Sequence, residues 1–160
     1  MKKVILSAFL AVAAIFNSSA QSTTSIGVGI APLGAVQYTV KYLYALQDSK
    51  LQVGSFGAYS NYTQPGILNS KVSYSTTSYG VLGRYVFNDN AFQPYVGLGV
   101  GMSNITTEVT VGGIVTSAKL NSVFYNPHVG FNYFLNDTFN LFLEGGFGST
   151  YVSAGVGTKF

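Results

Sequence analysis

From Phe92 to Val100 the chain alternates. Phe92, Pro94, Val96, Leu98 and Val100 fall on one parity, and Gln93, Tyr95, Gly97 and Gly99 on the other. Successive residues of a strand point to opposite faces. A strand here therefore has one apolar face and one that is small or polar apart from Tyr95. Aromatics also stand on both sides of the polar turn Asn88-Asp89-Asn90-Ala91, with Tyr85 and Phe87 before it and Phe92 and Tyr95 after. A soluble sandwich shares the alternation. The aromatic collar and the placement of charge favour a transmembrane β-barrel.

Charged residues make up 8% of the chain, against about 25% in an ordinary soluble domain. A short chain this apolar would leave much greasy surface in water. Beyond residue 20, no stretch reaches the roughly 18 consecutive apolar residues that a spanning helix needs. In hydrocarbon every backbone group must be paired within the protein, and strands achieve that by closing into a barrel.

Residues 1–20 read as a secretory signal peptide. Lys2 and Lys3 form its basic start, Val4–Phe16 an apolar run, and Asn17-Ser18-Ser19-Ala20 a small-residue cleavage site before Gln21. The run is too short to span a bilayer, which takes about 20 residues. The expected domain is thus 21–160. It keeps six Lys and Arg, the eight of the full chain less Lys2 and Lys3, against five acids. So small a net charge implies no nucleic-acid partner. With no cysteine in the chain, neither a disulfide nor a lipoprotein anchor is available.

Turn signals predict eight antiparallel strands running up and down. They fall at Ser25–Ala31, Ala35–Leu46, Leu51–Tyr62, Val72–Phe87, two strands between Phe92 and Leu135, Phe139–Gly148 and Tyr151–Phe160. The predicted outward parity collects Ile26, Val28, Tyr38, Val81, Leu98, Val129, Leu141 and Val156, and carries no charge. A Lys or Arg there would cost about 2–4 kcal/mol at mid-bilayer. The inward parity collects Lys41, Arg84, Asn126, His128, Asn132 and Glu144, with Phe56, Tyr95, Phe124 and Phe142. Lys41, Arg84 and Glu144 lie at similar depth, so Glu144 is expected to pair with Lys41, Arg84 or both. Lys159 is expected at the rim. Pro94 and Pro127 sit inside strands, where a missing donor is costly; Pro127 suggests a bulge.

Three tight turns, Gln47–Lys50, Asn88–Ala91 and Asn136–Thr138, each hold one Asp. Short turns belong on the periplasmic side of such barrels and longer loops outside, which puts both chain ends in the periplasm. The long connection Thr106–Thr116 alternates Thr and Val about Gly112-Gly113. That predicts a hairpin ribbon projecting outward.

The signal peptide, the eight girdled strands, the segment QPYVGLGVG (Gln93–Gly101) and the ending VSAGVGTKF (Val152–Phe160) resemble the OmpA/OmpX-type outer-membrane barrels. Phe160, with Thr158, Val156, Ala154 and Val152 at alternate positions, resembles the signal by which the barrel assembly machinery recognises that family's chains. The periplasmic peptidoglycan-binding domain of OmpA-type proteins has no counterpart after Phe160, so cell-wall tethering is not expected. The resemblance implies a monomer contacting outer-membrane lipid and lipopolysaccharide. Its role would lie in extracellular loops: adhesion, envelope integrity or resistance to host defence.

Two other functions are weighed. Enzymatic relatives among eight-stranded barrels include a lipid A deacylase with a His-x-Ser pair, whereas here the tripeptide is His128-Val129-Gly130. One histidine with five scattered acids makes no metal site, and none of the glycine-rich runs opens a helix as a phosphate loop would. No catalytic residue, metal or cofactor is expected. A narrow passive pore is the other alternative, but side chains just fill the interior of an eight-stranded barrel.

Overall fold

The structure, a computed structural model, describes residues 21–46, 50–66 and 70–160. The expected signal peptide and turn residues 47–49 lie outside the described residues. The eight strands are β1 (Ser22–Ile30), β2 (Val36–Ala45), β3 (Leu51–Pro65), β4 (Lys71–Val86), β5 (Phe92–Val111), β6 (Ile114–Phe134), β7 (Phe139–Gly146) and β8 (Val152–Lys159). Each pairs antiparallel with the next. β8 returns to β1, from Thr23 opposite Lys159 to Ile30 opposite Val152, and closes the ring. The eight-stranded up-and-down barrel is as the alternation predicts.

Local chemistry sets the turns at one end, here the turn end. Asn136 Oδ1 accepts from the Thr138 and Phe139 amides at 2.9 and 2.7 Å. Asn88 Oδ1 accepts from the Asn90 amide at 3.2 Å. Asparagine side chains mimic a backbone turn in this way. The Lys50 ammonium donates to the Phe87 carbonyl at 2.9 Å.

The outward faces are also as the parity predicts. Val28, Val81, Leu98, Val129 and Val156 are all exposed, forming an uncharged belt. Aromatic collars flank it, with Tyr85, Phe87, Phe92 and Phe139 at the turn end and Tyr38, Tyr59, Tyr79 and Tyr125 at the other. Inside, Leu43, Phe56 and Leu82 pack with Phe124. Glycines make room for the rings. A Cβ at Gly27 would lie 2.5 Å from Phe142 Cζ, and one at Gly155 2.7 Å from its Cε1.

Neither proline needs a bulge. Register runs unbroken through Leu98 opposite Pro127. The Pro127 carbonyl accepts from the Phe147 amide at 3.1 Å, and the Pro94 carbonyl from the Phe87 amide at 3.0 Å. Amide and carbonyl of one strand residue point the same way, so each missing donor faces a neighbour whose strand has just ended.

The strands are unequal. β5 and β6 have 20 and 21 residues, β7 and β8 only 8 each. A tilted crossing takes about 9–11 residues, so β5 and β6 run roughly ten residues further. β3 and β4 rise with them, Pro65 pairing with Lys71 and Lys71 with Thr110. What the sequence shows as a polar connection from Asn104 to Lys119 is therefore ladder throughout, ending where Val111 meets Ile114. The turn is Gly112-Gly113 alone, with φ of 56° and 86°.

That conformation costs other residues about 1–2 kcal/mol each. Gly112→Ala/Gly113→Ala should thus strip hydrogen-exchange protection from Val109–Thr116 while the barrel melts unchanged. Undiminished protection would show that the turn does not hold the ribbon.

Candidate functional site

Many side chains of the inward parity are buried within the ring. The Lys41 ammonium on β2 contacts Glu144 Oε1 on β7 at 2.6 Å, and both side chains are buried. Tyr95 on β5 donates its hydroxyl to Glu144 Oε2 at 3.0 Å. Arg84 on β4 takes a different partner: its Nε donates to Gln52 Oε1 at 2.6 Å, and its guanidinium lies 4.4 Å from the Tyr95 ring centroid. Of the two cations, Lys41 pairs with Glu144 directly, and Arg84 reaches it through the Tyr95 ring. Burying a charge unpaired costs several kcal/mol, which explains why each cation here has a carboxylate, an amide oxygen or a ring beside it.

His128 completes the group. Its Nδ1 lies 3.0 Å from the Asn126 carbonyl, which can only accept, and its Nε2 lies 3.9 Å from Glu144 Oε2. Gly97 and Gly130 create the space. A Cβ at Gly97 would lie 2.3 Å from His128 Nε2, and one at Gly130 2.7 Å from the Tyr95 hydroxyl oxygen. Toward the open end, Gln37 Nε2 donates to the Ser149 carbonyl at 2.8 Å and Gln37 Oε1 accepts from Thr150. Lys159 sits near the turn end, its ammonium 5.7 Å from the Phe134 ring centroid. Among the described residues, no group of three or more His, Asp or Glu could hold a metal ion.

Beyond the collar of Tyr59, Tyr79 and Tyr125 the polarity of the wall inverts. Along β5, Val96, Leu98, Val100 and Met102 point outward, but the same parity continues as Asn104, Thr106, Glu108 and Thr110. Past Ser78, Ser103 and Ser122 the inward parity becomes mostly apolar, with Thr76, Thr107 and Thr116 among it. Ile105 pairs with Leu120, Val109 with Val72, and Tyr62 with Tyr74. On the outer face Thr63 and Ser73 share a hydrogen bond of 3.1 Å. The four projecting strands thus form a sheet with a polar back and a mostly apolar inner face.

Comparison with solved structures then bears on the fold. The barrel superposes on a major outer membrane protein from Thermus thermophilus, with a TM-score of 0.65, 10% identity, and coverage of 89% of this chain and all of that one. The N-terminal β-barrel domain of Pseudomonas aeruginosa OprF gives 0.57 at 19% identity, covering 89% and 98%. Ail, the attachment invasion locus protein of Yersinia pestis, in complex with the heparin analogue sucrose octasulfate, gives 0.56 at 10% identity, covering 88% and 97%. The fold is that of the small outer-membrane barrels. No protein-family model and no curated protein matches the sequence.

The lumen cluster was readable from parity and depth. Tyr95 as the link was not, because pairing across the ring depends on stagger. The inverted sheet left a plain signal, the change of polarity along one parity after Met102, but it is visible only once the ribbon is known to continue the strands.

In this barrel, Lys41→Met and Glu144→Gln should each cost about 3–5 kcal/mol, by leaving or weakening a buried charge. The double variant should fall short of their sum by about 0.5–3 kcal/mol. Arg84→Gln should couple to Glu144→Gln less, and only while Tyr95 is present. Folded fraction in SDS against temperature measures this. Strictly additive losses for Lys41 and Glu144 would contradict the pairing.

Proposed function

We propose that the chain is a non-enzymatic integral protein of the bacterial outer membrane that works as an attachment surface through its projecting sheet. One observation carries the reading. Four strands run on together past an uncharged, aromatic-collared belt, and their back changes there to Ser, Thr, Asn and Lys. A belt of this composition suits hydrocarbon, and the polar back suits water. Nothing about a closed barrel requires so tall a wall; a surface held clear of the membrane does.

In this reading the sheet is extracellular, and the Asp-bearing turns and chain ends are periplasmic. Outer-membrane lipid and lipopolysaccharide surround a monomer, since the closed ring needs no second copy to satisfy its backbone. Phe160, exposed at the turn end, suits recognition by the barrel assembly machinery during insertion. Ail, a protein of like fold, is named for attachment. A passive pore is disfavoured by Phe56, Tyr95 and Phe142 buried within the ring.

Protease added to intact expressing cells should cut within Thr106–Thr116, lower their attachment to epithelial layers, and leave an SDS-resistant barrel. Exposed loop tips are where nicking concentrates. Cleavage only after the outer membrane is opened would reverse the orientation. Full attachment after cleavage would reject the role.

A further inference from the structure

The barrel wall is high on one side and low on the other. Opposite the projecting sheet, the rim consists of the β1–β2 turn at Ala31–Ala35 and the β7–β8 turn at Phe147–Tyr151. This rim presents no charge. Its polar side chains Ser149 and Thr150 are buried in the mouth, bonded to Gln37 or through the backbone. What it exposes is apolar: Leu33 is 69% and Phe147 74% exposed. Leu33 also holds φ at 67°, a left-handed conformation that costs a leucine about 1–2 kcal/mol. Exposed leucine and phenylalanine side chains at turn tips are unfavourable in water and suit lipid.

The edge of the sheet beside the low rim is also open. β6 has β7 beside it only as far as His128 opposite Gly146. The Phe147 amide still reaches the Pro127 carbonyl and Gly148 lies against Tyr125; beyond Tyr125, among the described residues, no strand pairs with this edge. Tyr125, 69% exposed on the belt side, and Leu120, 61% exposed on the inner face, belong to the same open-edged strand. Exposed apolar side chains thus stand on the belt at Tyr125, at the low rim at Leu33 and Phe147, and on the inner face at Leu120.

From this arrangement we propose that the largely apolar inner face of the sheet is a lateral docking site for an acyl chain of the surrounding outer-leaflet lipid. The chain enters sideways over the low rim and lies against the inner face, above the polar floor made by Gln37, Ser78 and Ser103. Ser78 and Ser103 share a buried hydrogen bond of 2.7 Å across β4 and β5, so the floor is polar and the acyl chain stays above it. The bilayer delivers the occupant already desolvated. Exposed apolar faces of soluble surfaces have no such supply, and large ones mark interaction sites.

This inference rests on the membrane-spanning reading, and the test separates the two. Place one copy per nanodisc, with phosphatidylcholine carrying a photoactivatable diazirine on its acyl chain, and map the cross-linked peptides. Labelling should appear on belt residues of β5 and β6 and also on the inner face of β4–β6. The variant Leu33→Asp/Phe147→Asp, shown to be folded by its heat-modifiable migration, should lose inner-face labelling several-fold and keep belt labelling. Belt labelling alone would overturn the acyl site, and absent belt labelling would overturn the spanning reading. Undiminished inner-face labelling in the rim variant would overturn lateral entry. Inner-face labelling by free diazirine-palmitate added from the aqueous side, but not by the labelled lipid, would overturn the lipid source. Discs holding two copies add a last arm: disulfide cross-linking of Leu120→Cys, in a chain with no cysteine of its own, would assign the face to a second copy and overturn the proposal.

Discussion

Backbone amides and carbonyls that cannot be left unpaired in hydrocarbon govern this molecule. An unpaired group there costs several kcal/mol, so strands that enter a bilayer must close on one another. The return of β8 to β1 meets that demand within the belt. Where the demand lapses, so does the closure. Above His128, where only the β7–β8 turn still reaches it at Pro127, β6 is paired with one strand, β5. Both prolines sit where a neighbouring strand stops, so that neither leaves a hole in the closed part of the ladder.

The same solvent boundary explains the side chains. Within the belt, the outside must be apolar and the inside accommodates polar groups, which then need one another. Lys41, Glu144, Tyr95, Arg84 and Gln52 form a chain of contacts around a lumen cleared by Gly97 and Gly130. Past the collar the preference reverses, with Asn104 and Thr106 following Val100 and Met102 on one parity.

Much of this was legible in the sequence. Strand number, the facing of every belt residue and the depth of Lys41, Arg84 and Glu144 follow from a period of two and from turn residues such as Asn88 and Asn136. Less legible was what depends on neighbours. The Glu144 partner is set by the stagger of β2, β5 and β7, which no single strand encodes. The low rim was hidden for another reason: Pro32-Leu33-Gly34 reads as an ordinary turn, and only the heights of β3–β6 beside it show that an apolar tip stands on a low rim.

The reversal of facing along one continuous strand is the central claim, and nitroxide scanning of β5 measures it directly. Single cysteines from Val96 to Thr110, spin-labelled in a bilayer, report collision with oxygen, which concentrates in lipid, and with a water-soluble nickel complex. Even-numbered positions should be oxygen-rich through Met102 and nickel-accessible from Asn104 onward, with the period of two kept throughout. Even-numbered positions that stay oxygen-rich to Glu108, or a loss of the period between Val96 and Met102, would contradict it.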